Sequence, residues 1–143
     1  MHQIITSGRS RPSFTWGWTT AIRWAAAIVF VLFGAAKFLN HASELASFRH
    51  YALPAPDAFV YVIGVLEIVG GLLLASGVLV RLAALALAGD MVGAIVVSGV
   101  GPGEDLSLKL APALLVAMIF LIAVGGSGSV ADRVPLGARR RRR

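Results

Sequence analysis

The sequence contains no cysteine. Disulfide bonds, thiolate nucleophiles and cysteine-held metal or iron–sulfur centres are therefore excluded, and the redox compartment cannot be read from thiol usage. Histidine is scarce. His2, His41 and His50 have no ligand-like spacing with one another; His41 and Glu44 could share a metal, but two ligands are too few to hold one. None of the three lies in a long apolar block, which argues against a b-type haem held by an axial pair from this chain. A glycine-rich phosphate loop and a Ser–His–Asp set are not discernible either. Charge is the last shortage. Charged residues make up 14% of the chain and hydrophobic ones 57%, whereas a soluble domain has roughly 25% and 45–50%.

That apolar surplus is gathered into four blocks at about 22–38, 58–80, 82–100 and 106–124. Each is close to the roughly 20 residues that a helix needs to cross a bilayer. Only Arg81 separates the second block from the third. One helix through both would be roughly 60 Å long, twice the hydrocarbon thickness, so a tight hairpin around Arg81 is expected. The expected fold is an all-α membrane protein, a bundle of four transmembrane helices. Its parts are an N-terminal cytoplasmic tail (1–20), a membrane domain (21–128) and a basic cytoplasmic tail (129–143). A cleaved signal peptide is not expected, because no small-residue cleavage site follows the first block.

The formal net charge of +6 does not point to nucleic acid, because the basic residues sit at block ends and in one terminal run. Four spans put Arg9, Arg11, Arg23, Arg81, Arg133, Arg139, Arg140, Arg141, Arg142 and Arg143 on one side, leaving Lys37, Arg49 and Lys109 on the other. By the positive-inside rule both termini are cytoplasmic. Trp16, Trp18 and Trp24 cluster at the inner boundary, with Tyr51, Phe59 and Tyr61 marking the outer one. Arg23 and Arg81, with the three tryptophans, read as anchors to lipid headgroups. The run 139–143 reads as a tail held by anionic lipid.

Between the first two spans, Leu45, Phe48 and Ala52 recur at helical spacing, which predicts a short interfacial helix over 41–52 at the outer surface. Pro54 and Pro56 stop it. Pro112 falls in the first or second turn of the last helix, tolerated near its start and kinking further in. Gly89 and Gly93 form a GxxxG pair that serves equally as a packing seam or as the seam of a homo-oligomer.

Three charges stand where hydrocarbon is expected. Glu67 and Asp90 lie inside spans and Lys37 near a span end; such residues are functional-site candidates by default. Folding the chain at Arg81 places Asp90 opposite Gly71, with Glu67 one helical turn nearer the outside. Gly70 and Gly71 share a face with Glu67, and Gly93 and Ala94 with Asp90. Small neighbours let helices approach, so both carboxylates are expected to point into the bundle. Lys37 either bends inward to meet Glu67 or snorkels to the headgroups. Each carboxyl also has a purely structural reading, as a neutral acid bonded to a neighbouring helix.

A string of features, in this order, resembles the DoxX family of small four-helix bacterial membrane proteins from about Arg23 to Arg133. It comprises Arg23, Phe33-Gly34 and Lys37-Phe38, then Phe48 and Pro54-Ala55-Pro56. Glu67-Ile68-Val69-Gly70-Gly71-Leu72-Leu73-Leu74 follows, closing on Gly77, and then Arg81-Leu82-Ala83-Ala84. A glycine-rich turn at 125–128 ends it with Ser129 and Asp132. Asp90 and the basic tail depart from the family pattern. The resemblance implies a membrane partner of a redox enzyme, since the family takes its name from a subunit associated with thiosulfate:quinone oxidoreductase. The family is also similar to MauE-type proteins, which are needed to mature a periplasmic enzyme.

The reading that follows is a redox-system subunit, not a stand-alone enzyme. It would bind a quinone or another small amphipathic molecule through Lys37, Glu67 and Asp90. A non-catalytic scaffold or assembly factor is the alternative, and a small transporter or proton pathway ranks third, since four helices make a thin wall around a pore.

Overall fold

The computed structural model describes residues 14–50, 54–98 and 105–124, with side chains at 17–50, 54–97 and 109–124. Every element among them is helical: α1 (Phe14–Leu39), α2 (His41–His50), α3 (Pro56–Ser76), α4 (Val80–Ser98) and α5 (Asp105–Val124). The chain is an all-α membrane protein. Gly17–Leu39, Pro56–Ser76 and Val80–Val97 are long and apolar enough to cross a bilayer, and Lys109–Val124 is a shorter apolar stretch within α5.

The helices form a ring in which α1 neighbours α3, α3 neighbours α4, α4 neighbours α5 and α5 returns to α1. The closest packing is α1 on α3 and α4 on α5, while α2 lies against α3 and α1. The distribution of side chains is inverted relative to a water-soluble bundle. Small residues fill much of the core, with Ala26, Ala27, Ala83, Ala84, Ala88 and Ala111 buried around Phe30, Leu74, Leu87, Met118 and Leu121. Large aliphatics such as Ile28, Leu32, Val62, Leu72, Leu85, Val96 and Val116 face outward. An apolar belt of this extent on all the long helices needs lipid as its solvent, and small residues inside let backbones approach where lipid removes the hydrophobic drive.

Chain chemistry sets the helix ends. Ala55 sits in the left-handed region (φ 49°, ψ 59°) and Pro56 opens α3 at its first position, where its fixed φ suits a helix and its missing N–H costs nothing. Gly77 (φ 75°) closes α3, its N–H donating to the carbonyls of Leu73 and Leu74. Leu79 is also left-handed (φ 50°), a conformation that costs a side-chain-bearing residue free energy, and its carbonyl accepts from the Ala83 N–H to start α4.

Several sequence expectations are corrected. The hairpin turn is at 77–79, and Arg81 lies in the first turn of α4. Glycine, which occupies the left-handed region without penalty, decides the break in preference to the charged residue. α1 begins at Phe14, so Trp16, Trp18 and Trp24 all lie on it. Pro112 lies inside α5, seven residues after Asp105, and removes one backbone bond there. The expected outer-boundary Tyr51, the glycine- and proline-rich connection at 99–104 and the tail at 125–143 lie outside the described residues.

Candidate functional site

The site is built on the α1/α3 seam. Glycines set its spacing. A Cβ placed on Gly34 would lie 2.8 Å from the Gly64 carbonyl oxygen and 3.0 Å from the Ile68 nitrogen; one on Gly71 would lie 3.0 Å from the Ala27 carbonyl oxygen. Backbone therefore meets backbone across this seam, and α1 runs antiparallel to α3 with Lys37 and Phe38 against Gly64, Val31 and Ala27 against Gly71, and Arg23 against Gly77. In that register Lys37 lies closer to the α2 end than Glu67.

Lys37 nevertheless reaches it. Its Nζ stands 2.9 Å from Glu67 Oε2, and both residues are buried, at 8% and 3% exposure. The inward-bending reading is thus the one observed, and the snorkelling one is not. At this distance the ammonium and the carboxylate attract each other as charges and through a side-chain hydrogen bond. Both charges are withdrawn from solvent, and a pair of this kind is strongly destabilised when one member is removed.

Asp90 joins them from α4. Gly70 packs on the Leu87 side chain. Three residues back along α3 from Gly70 is Glu67, and three residues on along α4 from Leu87 is Asp90. The two carboxylates therefore stand at one level of the antiparallel pair, not one turn apart as a turn at Arg81 implies. Asp90 is within electrostatic reach of both Lys37 and Glu67. Its Oδ2 is shielded from solvent and has no hydrogen-bond partner, an arrangement that native structures generally avoid. Gly89 and Gly93, which flank Asp90 on α4, have nothing within 4 Å of an added Cβ.

The α2 side of this cluster carries residues that the sequence alone left unconnected. His41, at the start of α2, places Nε2 3.1 Å from Asp57 Oδ1 and stacks on Tyr61 with ring centroids 4.6 Å apart and planes at 19°. Phe38 also meets Tyr61, with ring centroids 5.7 Å apart and planes tilted at 47°. Glu44 of α2 is close enough to act electrostatically on Glu67. The only sequence signals were the aromatic cluster at 59–61 and the helical spacing of His41 and Glu44. Their meeting depends on the reversal at Ala55, which periodicity does not encode. No group of three or more metal-ligating side chains occurs among the described residues.

The remaining candidates lie apart from the cluster. Arg23 is half-buried, its guanidinium against Gly77 at the C-terminal end of α3, with a shielded Nε that has no partner. Arg81, Trp18 and Trp24 are exposed, and the side chain of Trp16 is outside the described residues.

A buried cation paired with one carboxylate beside a second, unpaired carboxylate can orient a polar group of a ligand or hold a proton. No match was found among the curated proteins or the solved structures compared. The DoxX family profile matches residues 18–99, more than half of the chain and inclusive of Lys37, Glu67 and Asp90. The chain belongs to the DoxX family of membrane proteins.

Proposed function

We propose that this protein is a membrane subunit of a quinone-linked redox system, binding a quinone-like amphipathic molecule at the Lys37–Glu67–Asp90 cluster. The observation that carries the reading is the 2.9 Å Lys37–Glu67 pair, buried beside a carboxylate whose Oδ2 has no partner. Charges are costly at this depth and persist where they serve a ligand or a proton path.

The residues fit a quinone. An ammonium has three donors and the Glu67 contact engages one, leaving others for a carbonyl oxygen. The open side of α4 at Gly89 and Gly93 suits entry of a flat ring from lipid, and Phe38 and Tyr61 add aromatic surface on the α2 side. A bound quinone would supply reversible electron and proton uptake. Within this chain Lys37 would bind the carbonyl, and Glu67 would hold Lys37 in place. Electrons would come from a partner protein or a bound cofactor, because the sequence has no cysteine and no histidine within its apolar blocks.

In this reading the protein is a multi-pass protein of the bacterial plasma membrane with both termini cytoplasmic. Trp18, Trp24 and Arg81 anchor it at the headgroups, and the 139–143 run is held by anionic lipid. The scaffold alternative draws support from the same ion pair, since Lys37 and Glu67 could serve only to brace α1 against α3. Mass spectrometry of protein purified gently from its native membrane separates the two. Quinone at stoichiometric levels, lost in Glu67→Gln, is the expected result; quinone absent from wild type, with partner proteins retained in both forms, would favour the scaffold.

A further inference from the structure

The cluster has an unequal charge count. Lys37 contributes one ammonium and Glu67 one carboxylate, both buried, whereas Asp90 contributes a second carboxylate that is partly buried, its Oδ2 shielded from solvent. Lys37 is committed to Glu67 at 2.9 Å, and Asp90 Oδ2 has no partner of its own. The charged groups facing Asp90 from the surrounding helices are Lys37 on α1 and Glu67 on α3, with Glu44 of α2 acting on Glu67; the cation on α5, Lys109, is exposed. An uncompensated carboxylate at this level is strongly unfavourable.

Two things could balance it, a proton or a second cation. A second cation would have to sit within the field of the Lys37 ammonium, with only two carboxylates to coordinate it, one of them already engaged. A proton needs no room and no further ligands, and it turns an unsatisfied acceptor into a hydroxyl donor.

We infer that Asp90 is held as the neutral acid and presents its hydroxyl as a hydrogen-bond donor, so that the cluster selects an uncharged ligand bearing a carbonyl oxygen over an amine or a carboxylate. This inference rests on the reading of the cluster as a ligand site and names the ligand's chemistry. Lys37 and Asp90 then offer two donors from different helices, and Glu67 is the single charged carboxylate, matched by Lys37.

Infrared spectroscopy of the full-length protein in lipid nanodiscs at neutral pH tests it directly. Wild type should show a protonated-carboxyl carbonyl band that moves to lower frequency in deuterated buffer. Asp90→Asn, which keeps the shape of the side chain, should lose the band. Lys37→Met, which leaves two carboxylates and no cation, should roughly double it. Addition of a short-chain ubiquinone should shift the band in wild type, while an alkylamine of similar length should not. A wild-type spectrum without the band, or a band that survives in Asp90→Asn, overturns the assignment. A band that belongs to Asp90 but ignores the quinone leaves the proton where it is assigned and overturns the ligand reading instead.

Discussion

The glycines of the α1/α3 seam and those on the open side of α4 are the same residue in opposite circumstances. At Gly34 and Gly71 a methyl group would collide with backbone atoms of the partner helix, whereas at Gly89 and Gly93 it would meet nothing within 4 Å. The first pair fixes how near two helices come and thereby brings a lysine and a glutamate together. The second pair stands on an exposed face of α4. A small residue in a membrane helix therefore has no single meaning, and the register of its neighbours decides whether it closes a seam or keeps a side open.

Breaking the ion pair that the close approach brings together should have the largest effect. Lys37→Met leaves Glu67 buried without its cation, a change that typically costs about 3–5 kcal/mol. It should appear as a large fall in thermal stability in detergent, and Lys37→Met combined with Glu67→Met should recover most of the loss. If the single variant is as stable as wild type, the pair does not hold the seam together.

Forcing the helices apart should cost less. Gly34→Ala places its methyl 2.7 Å from Ile68 Cγ1 and 2.8 Å from the Gly64 carbonyl oxygen, and backbone cannot yield as a side-chain tip can. About 1–3 kcal/mol of destabilisation is expected from such overpacking, again read from thermal unfolding. Gly89→Ala should have the smallest effect and the opposite sign. With no clash to offset it, replacing glycine by alanine in a helix gains up to about 1 kcal/mol. A clear loss of stability there, or a change of oligomeric state on a native gel, would mean that a second chain covers this side and that the contrast with the α1/α3 seam is false.

Much of this was legible in the sequence, and what was not has physical causes. Block length and hydropathy gave the membrane helices because the bilayer imposes one thickness on all of them. The inward direction of Glu67 followed from Gly70 and Gly71 on its face. The turn was misplaced because Arg81 interrupts the apolar run visibly, whereas Gly77 breaks the helix through its backbone and changes hydropathy little. That shift of a few residues moved Asp90 from the level of Gly71 to that of Glu67. The His41–Asp57 contact and the packing of Arg23 on Gly77 join residues distant in sequence, through chain reversals whose angle no periodic pattern records.

The brief link between α3 and α4 has a mechanical consequence. With only residues 77–79 between them, and Gly77 and Leu79 both in the left-handed region, the two helices are pinned at one end like the arms of a hairpin. Sliding α4 along α3 would have to unmake that pin, so Glu67 and Asp90 keep a fixed height relative to each other.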